Sequence, residues 1–200
     1  MTLTPAAVER IFKSAGALRE GHFVLASGRH SPQYLEKFQV LQRPSDTERL
    51  CAPIASWART LGVETVAGPT TGGVILAHEV ARQLGTRAVY AERREDGRGR
   101  ELRRGFSLAP GERVLVVDDI MTTGGSVEET IGAVLESGGT AVGAAVLVDR
   151  SGSSARLDVP LHALWRLEIP TYEPSSCPLC AAGLPATHPG TSPAPAGALR

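Results

Sequence analysis

Apolar residues at Val8, Ile11, Phe12, Ala15 and Leu18 recur at helical spacing behind Thr4 and Pro5, and proline at a first helical position loses no needed N–H. This pattern predicts an amphipathic helix over 5–18. From Gly21 to Pro32 a short apolar run, a glycine-bearing turn and a second run around Tyr34 and Leu35 predict a hairpin-like hood. Residues 45–61 read as a second helix, with Leu50, Ile54, Trp57, Ala58 and Leu61 on one face and Ser45 and Glu48 spaced as a capping box.

The period then changes. Val63 to Ala67 reads as a strand, 68–73 as a loop, Val74 to Leu84 as a helix stopped by Gly85, and Ala88 to Ala91 as a strand. Arg113 to Val117 reads as a buried strand, and Ser126 to Ser137 as a helix with Ser126 and Glu129 as a capping box. Gly138-Gly139 stops that helix before a strand over Ala141–Val148. Repeated strand–helix–strand units imply an α/β fold with a parallel sheet and right-handed crossovers. Between two of these strands, residues 92–105 carry, besides Glu92, nine charged side chains and three glycines, which predicts a mobile loop. The last segment, 173–200, holds six of the fourteen prolines and no apolar period, so irregular structure is expected there, fraying past about Thr191.

Composition narrows the function classes. At 200 residues the chain is one domain with room for a small appendage, and only 4% aromatic residues require a core of Val, Leu, Ile and Ala. Basic and acidic residues balance at 21 each, so no general field attracts nucleic acid or anionic membrane. The absence of a 20-residue apolar run and of a basic leader followed by an apolar core suggests a cytoplasmic protein. Three cysteines form no disulfide framework, and Cys51, amid Leu50 and Ile54, reads as a small buried hydrophobe.

The strongest chemical signal is Val114-Leu115-Val116-Val117-Asp118-Asp119-Ile120-Met121-Thr122-Thr123-Gly124-Gly125-Ser126. Two acids crown a buried strand, at the end of the sheet where ligands of open α/β folds bind. Hydroxyls and glycines then open a helix N-terminus, whose free N–H groups suit an anion. Acceptors for a diol beside donors for a phosphate point to a phosphorylated ribose. A P-loop would need a lysine that is missing here, and the run lacks a dinucleotide fingerprint. An ordinary β–α turn would account for one acid and one glycine, not for the whole set.

This run resembles the phosphoribosyl pyrophosphate (PRPP) signature of type I phosphoribosyltransferases. Two further segments resemble the orotate-using members of that family: Glu20 to Pro32 (EGHFVLASGRHSP) its N-terminal hood, and Val148-Asp149-Arg150-Ser151-Gly152 its orotate-contacting arginine segment. The likeness covers about residues 5–180. It implies a central, mostly parallel sheet flanked by helices over 1–172, with a hood at about 20–40, a mobile loop at about 92–106, and a proline-rich tail carrying CxxC over 173–200.

The resemblance also implies site residues. Asp118 and Asp119 would hold ribose hydroxyls or metal-bound water and stabilise a cationic sugar. PRPP would be bound by these acids with Ile120, Met121, Thr122, Thr123, Gly124, Gly125 and Ser126, by Thr71 and Gly72 of the 68–73 loop, and by Arg93 and Arg94. Orotate would meet Thr122, Arg150, Tyr34 and Leu35. Magnesium would be held mainly through the substrate, with Asp118 and Asp119 the candidate protein ligands. A homodimer is implied, with neither nucleic acid nor membrane as partner.

The chain departs from the family at several places. Thr71 and Gly72 replace a frequent aromatic and lysine of the pyrophosphate loop, Ala26 replaces a hood lysine, and the charged loop has neither Lys nor His at its tip. Arg98 or Arg100 is expected to supply the tip cation, stabilising charge without donating a proton. Rival readings are a purine or uracil phosphoribosyltransferase and a PRPP-sensing regulator that binds nucleic acid. Cys177-Pro178-Leu179-Cys180 is half of a zinc site, for which His188 and Cys51 are the candidate completing ligands, but without a second cysteine pair structural thiols are the expected reading.

Overall fold

The computed structural model describes residues 3–152 and 155–189; the expected fraying past Thr191 lies outside them. A six-stranded sheet forms the centre, in the order β5 (Arg100–Leu102), β4 (Arg87–Arg93), β3 (Thr65–Pro69), β6 (Arg113–Met121), β7 (Thr140–Asp149), β8 (Leu161–Arg166). All neighbours pair in parallel except β4 and β5. The α/β expectation holds: β3 and β6 are each followed by a helix, α4 (Gly72–Leu84) and α5 (Gly125–Glu136), that packs on the sheet before the chain re-enters it.

Strand β6 shows how two cores are made from one apolar run. Leu115 and Val117 enter one cluster with α1 (Pro5–Ser14), α3 (Pro44–Thr60) and α4 (Gly72–Leu84), whereas Val114 and Val116 enter a second with Val127 and Val134 of α5 (Gly125–Glu136). Alternate side chains point to opposite faces, so a strand buried on both sides must be apolar throughout. Cys51 is fully buried in the first cluster, as its neighbours imply.

Several boundaries differ from the sequence reading. Thr4 caps α1 through its side chain, but the helix stops at Ser14 because Gly16 takes a left-handed φ of 70°, and Leu18 instead opens β1 (Leu18–Val24). Neither capping box forms. Helix α3 starts at Pro44 with Arg43 as its cap residue, and Glu48 pairs with Arg82 at 2.7 Å. Helix α5 is entered through Gly124 at φ 89°, while Ser126 and Glu129 turn to Asp118 and Arg100. A proline at N1 and a left-handed glycine set the two starts instead of the expected serine caps.

The charged segment expected as a loop is a hairpin: Ala91, Glu92 and Arg93 pair with Leu102, Glu101 and Arg100, and the turn closes through Arg94 N–H to Gly99 O at 3.2 Å. Strand β8 was not foreseen. The hood is the antiparallel pair β1 and β2 (His30–Leu35), separate from the main sheet. After it, α2 (Phe38–Leu41) leads to α3, and the tail contains a 3-10 turn (Pro174–Ser176) and α6 (Pro178–Ala181).

Candidate active site at the carboxyl ends of the strands

Parallel pairing brings the ends of β3, β4, β6 and β7 to one edge of the sheet. Asp118 and Asp119 lie near the carboxyl end of β6 there and are 6% and 2% exposed. Such acids must be satisfied by donors, since an isolated buried carboxylate costs several kcal/mol. Asp118 accepts from the Asp119 N–H at 2.8 Å and from Ser126 Oγ at 2.6 Å. Asp119 Oδ1 accepts from the Ile120 N–H at 2.6 Å and from Lys37 Nζ at 2.9 Å. Its Oδ2 is buried without a hydrogen-bond partner. Burial, followed by the neighbouring Asp119 charge, pushes the Asp118 carboxyl up to about 6.

Gly72 explains why the second acid fits. A Cβ on Gly72 would stand 1.6 Å from Asp119 Oδ2, so any side chain there would evict the carboxylate or the helix start. The position at which the family often carries lysine is thus filled by the approach of Asp119, while Lys37, from the segment after the hood, brings an ammonium to that acid. Lys37 was not singled out from sequence as a site residue. Its signal was available, because Lys13 and Lys37 are the only lysines in the chain.

Thr122 and Thr123 are exposed after the acids, Gly124 makes the left-handed entry to α5, and Ser126 faces back to Asp118. The loop therefore presents hydroxyls and a helix N-terminus beside two acids, a combination suited to a ribose 5-phosphate. Met121 does not share this exposure. Its side chain is 1% exposed in the second core cluster, leaving its backbone at the site, where the Met121 carbonyl accepts from the Arg150 N–H at 2.7 Å. Thr71, exposed, and Gly72 lie at the start of α4 beside the same acids.

Tyr34, Leu35, Thr122 and Arg150 converge on one cavity of about 570 Å³, also lined by Glu36, Lys37, Phe38 and Ile120. The hood supplies one wall and the β6 and β7 ends the other. Asp149 shapes the bend that delivers Arg150, accepting from Ser151 N–H at 2.9 Å and Ser151 Oγ at 2.6 Å. Burial pulls the Arg150 guanidinium below its usual range, and its Nε is buried without a partner. Tyr34 is raised, chiefly by burial. Leu35 also belongs to the first core cluster.

The arginines of the charged segment separate. Arg100 is no tip residue: it is 6% exposed at the base of the hairpin, donating to Thr70 Oγ1 at 3.2 Å and Ala91 O at 3.1 Å, with Glu129 at 3.3 Å. Antiparallel pairing with β4 puts it there. Arg94 is also diverted, since it pairs with Glu136, at the opposite end of α5 from the phosphate-type loop. Arg93 and Arg98 are exposed, Arg98 in the hairpin turn, where its N–H donates to Asp96 Oδ1 at 2.9 Å.

Comparison with known proteins agrees with this geometry. The phosphoribosyl transferase domain model matches residues 45–160. An orotate phosphoribosyltransferase of Desulforamulus reducens is 51% identical over 181 residues, covering 90% of this chain and 94% of the relative, and one of Pelotomaculum thermopropionicum gives the same values. Among solved structures, the orotate phosphoribosyltransferase of Aeropyrum pernix superposes with a TM-score of 0.68 at 31% identity, over 80% of this chain and 93% of that one. The fold is the type I phosphoribosyltransferase fold, and with relatives this similar over nearly their whole length the chain belongs to the orotate phosphoribosyltransferases.

Proposed function

We propose that the chain transfers the phosphoribosyl group of PRPP to orotate, giving orotidine 5′-monophosphate and pyrophosphate in pyrimidine synthesis. The observation that carries the reading is the cavity between hood and loop, with the half-buried Arg150 guanidinium, its Nε unpartnered, on one side and a paired acid site on the other. Orotate is flat and carries a carboxylate. A fixed planar cation that keeps its charge when buried suits that carboxylate better than a neutral purine edge.

In this reading the 5-phosphate sits at Thr122 to Ser126 and the ribose hydroxyls meet Asp118 and Asp119. The anchored sugar then leaves C1 as the atom free to move between its two partners. Its bond to the pyrophosphate oxygen breaks, with the electron pair leaving on oxygen, as the ring nitrogen of orotate, its proton lost, bonds to C1. Catalysis is mostly positioning, plus carboxylate charge near a cationic sugar. Lys37 joins the two halves, since it touches Asp119 and lines the base cavity. Arg98, with Arg93 at the root of the hairpin, covers the departing pyrophosphate if the hairpin closes.

Magnesium fits the donor set: two adjacent carboxylates, one with an unpartnered buried oxygen, are hard ligands of the kind it prefers. When bound it would neutralise charge on the pyrophosphate. The reading takes 1–172 as the catalytic unit and keeps the homodimer as an expectation that sedimentation can test. Among the described residues no helix is long and apolar enough to cross a membrane.

The deciding experiment offers PRPP and Mg²⁺ with orotate, adenine, hypoxanthine, xanthine or uracil. Consumption of orotate alone is expected. Turnover of another base without orotate would replace the substrate, and tight, salt-sensitive nucleic-acid binding without any turnover would favour a regulator.

A further inference from the structure

Four metal-type donors from distant parts of the chain meet away from the acid pair. His22 lies on β1 and His30 on β2, on either side of the hood turn, while Cys177 and Cys180 flank the first turn of α6 in the tail. Their ligand atoms all lie within 4.8 Å of one another. His22 Nε2 stands 2.8 Å from His30 Nδ1, 3.8 Å from Cys177 Sγ and 3.7 Å from Cys180 Sγ, and Cys180 Sγ stands 3.3 Å from His30 Nδ1. A tetrahedral zinc ion, with Zn–N near 2.0 Å and Zn–S near 2.3 Å, sets its ligand atoms about 3.3–3.8 Å apart. The observed separations straddle that range.

Proton positions agree. His22 Nδ1 lies 2.8 Å from the Leu184 carbonyl, which can only accept, so the ring proton is on Nδ1 and the Nε2 lone pair faces the cluster. A metal-bound histidine is held by this kind of outer hydrogen bond. The backbone frames the cluster on both sides: His30 and Tyr172 exchange two hydrogen bonds of 2.8 Å, and Thr187 donates to His22 O and accepts from Val24 N–H, each at 2.8 Å. The tail is therefore laid along the hood with its two sulfurs against the two imidazoles. Cysteines with two residues between them match half of a common zinc ligand set, and the histidines complete it in place of His188 and Cys51, the latter being buried in the core.

We propose that His22, His30, Cys177 and Cys180 form a closed structural zinc site that clips the C-terminal tail onto the hood. Two thiolates and two imidazoles in a tetrahedral arrangement select zinc over magnesium, which requires oxygen ligands. Both thiols release a proton on binding, and the two thiolate charges balance the cation. The closed chain is long, His22 and Cys177 being 155 positions apart, so the clip restricts the unfolded chain strongly. The site is separate from Asp118 and Asp119 and does not depend on which base the enzyme uses.

The full chain, purified with a thiol reductant and without chelator, is assayed for zinc by mass spectrometry, then stripped and reloaded with Zn²⁺ or Co²⁺. Expected are one tightly held Zn²⁺ per chain, a fall in melting temperature on stripping that Zn²⁺ reverses, and visible bands of tetrahedral Co²⁺ with thiolate charge transfer in the near ultraviolet. Cys180→Ser and His22→Gln should lose the tight metal, whereas Asp118→Asn should keep it. The proposal is overturned if wild-type chain neither retains nor takes up stoichiometric Zn²⁺, if Cys177 and Cys180 are found disulfide-bonded under these conditions, if Co²⁺ is octahedral, or if Asp118→Asn alone abolishes binding. The wild-type cobalt spectrum decides the matter even where a variant fails to fold.

Discussion

The loop after β6 and the hairpin after β4 leave the same edge of the sheet, yet they are built on opposite principles. At the root of the loop, in the last residues of β6, Asp118 and Asp119 are nearly sealed from water and each carboxylate is held by identified donors. The hairpin is held at its surface by ion pairs such as Arg104 with Glu92 and Arg103 with Glu95, a kind of contact that contributes little to stability. For the proposed transfer, preorganised charge would serve the point where the sugar changes charge, and loosely held charge would suit an element that opens for substrate. Arg100 links the two regions from a buried position. It sits in the hairpin but is as buried as the acids, bonded to Thr70 before α4 and paired with Glu129 of α5.

The largest expected effect comes from the rigid side. Asp119→Asn keeps the volume but removes the charge that holds Lys37, and turnover should fall about 10²–10³-fold in steady-state assays, with a circular dichroism spectrum like that of wild type. Near-normal turnover would remove Asp119 from the reaction and with it the contrast between loop and hairpin. Arg150→Ala comes next. It should raise the KM for orotate roughly 10–100-fold, as expected when a charge-assisted pair is lost, with the KM for PRPP little changed; a change confined to PRPP would move Arg150 out of the base cavity.

How far each region was legible follows from the same contrast. The acid pair, the glycines and the α5 start could be read because one continuous run of residues carries strand, acids and helix entry. Arg150, Tyr34 and Thr122 could be placed through family resemblance, and the cavity brings them together. Lys37 escaped because its importance lies in an approach to Asp119 from 82 positions away, which no local pattern encodes. The hairpin escaped for a similar reason: charge and glycine suggest a loop, but pairing with Ala91 to Arg93 is a tertiary choice that overrides composition. The four-donor cluster joins two motifs, each of which has a local explanation of its own.

Arg100 and Arg98 test whether the hairpin truly divides into a fixed base and a free tip. Arg100→Ala removes the donor to Thr70 Oγ1, one of two donors to Ala91 O, which keeps the Thr70 N–H at 3.1 Å, and the cation beside Glu129, so chemical denaturation should report a loss of about 2–3 kcal/mol. Arg98→Ala should leave the melting temperature unchanged while lowering kcat about tenfold. The reverse pattern, with Arg100 affecting only kcat and Arg98 only stability, would mean that the hairpin rearranges so that Arg100 reaches substrate.

The smallest effect concerns Asp118 and has a definite sign. Its carboxyl titrates near 4 in an unfolded chain and is pushed up to about 6 in the fold by burial and by Asp119. As pH rises between those values the unfolded chain releases a proton that the folded chain still holds. Stability should therefore decline across that window and stay level above it. Asp118→Asn, compared with wild type by denaturant unfolding from pH 4 to pH 7, should remove this contribution and leave the hairpin's own pH response unchanged. Substrate should reverse the trend, because PRPP with Mg²⁺ selects the ionised acid, so ligand-induced stabilisation should grow as pH rises through 6. An equal slope in both proteins would place the raised titration elsewhere and show that the acids are no more tightly constrained than the hairpin charges.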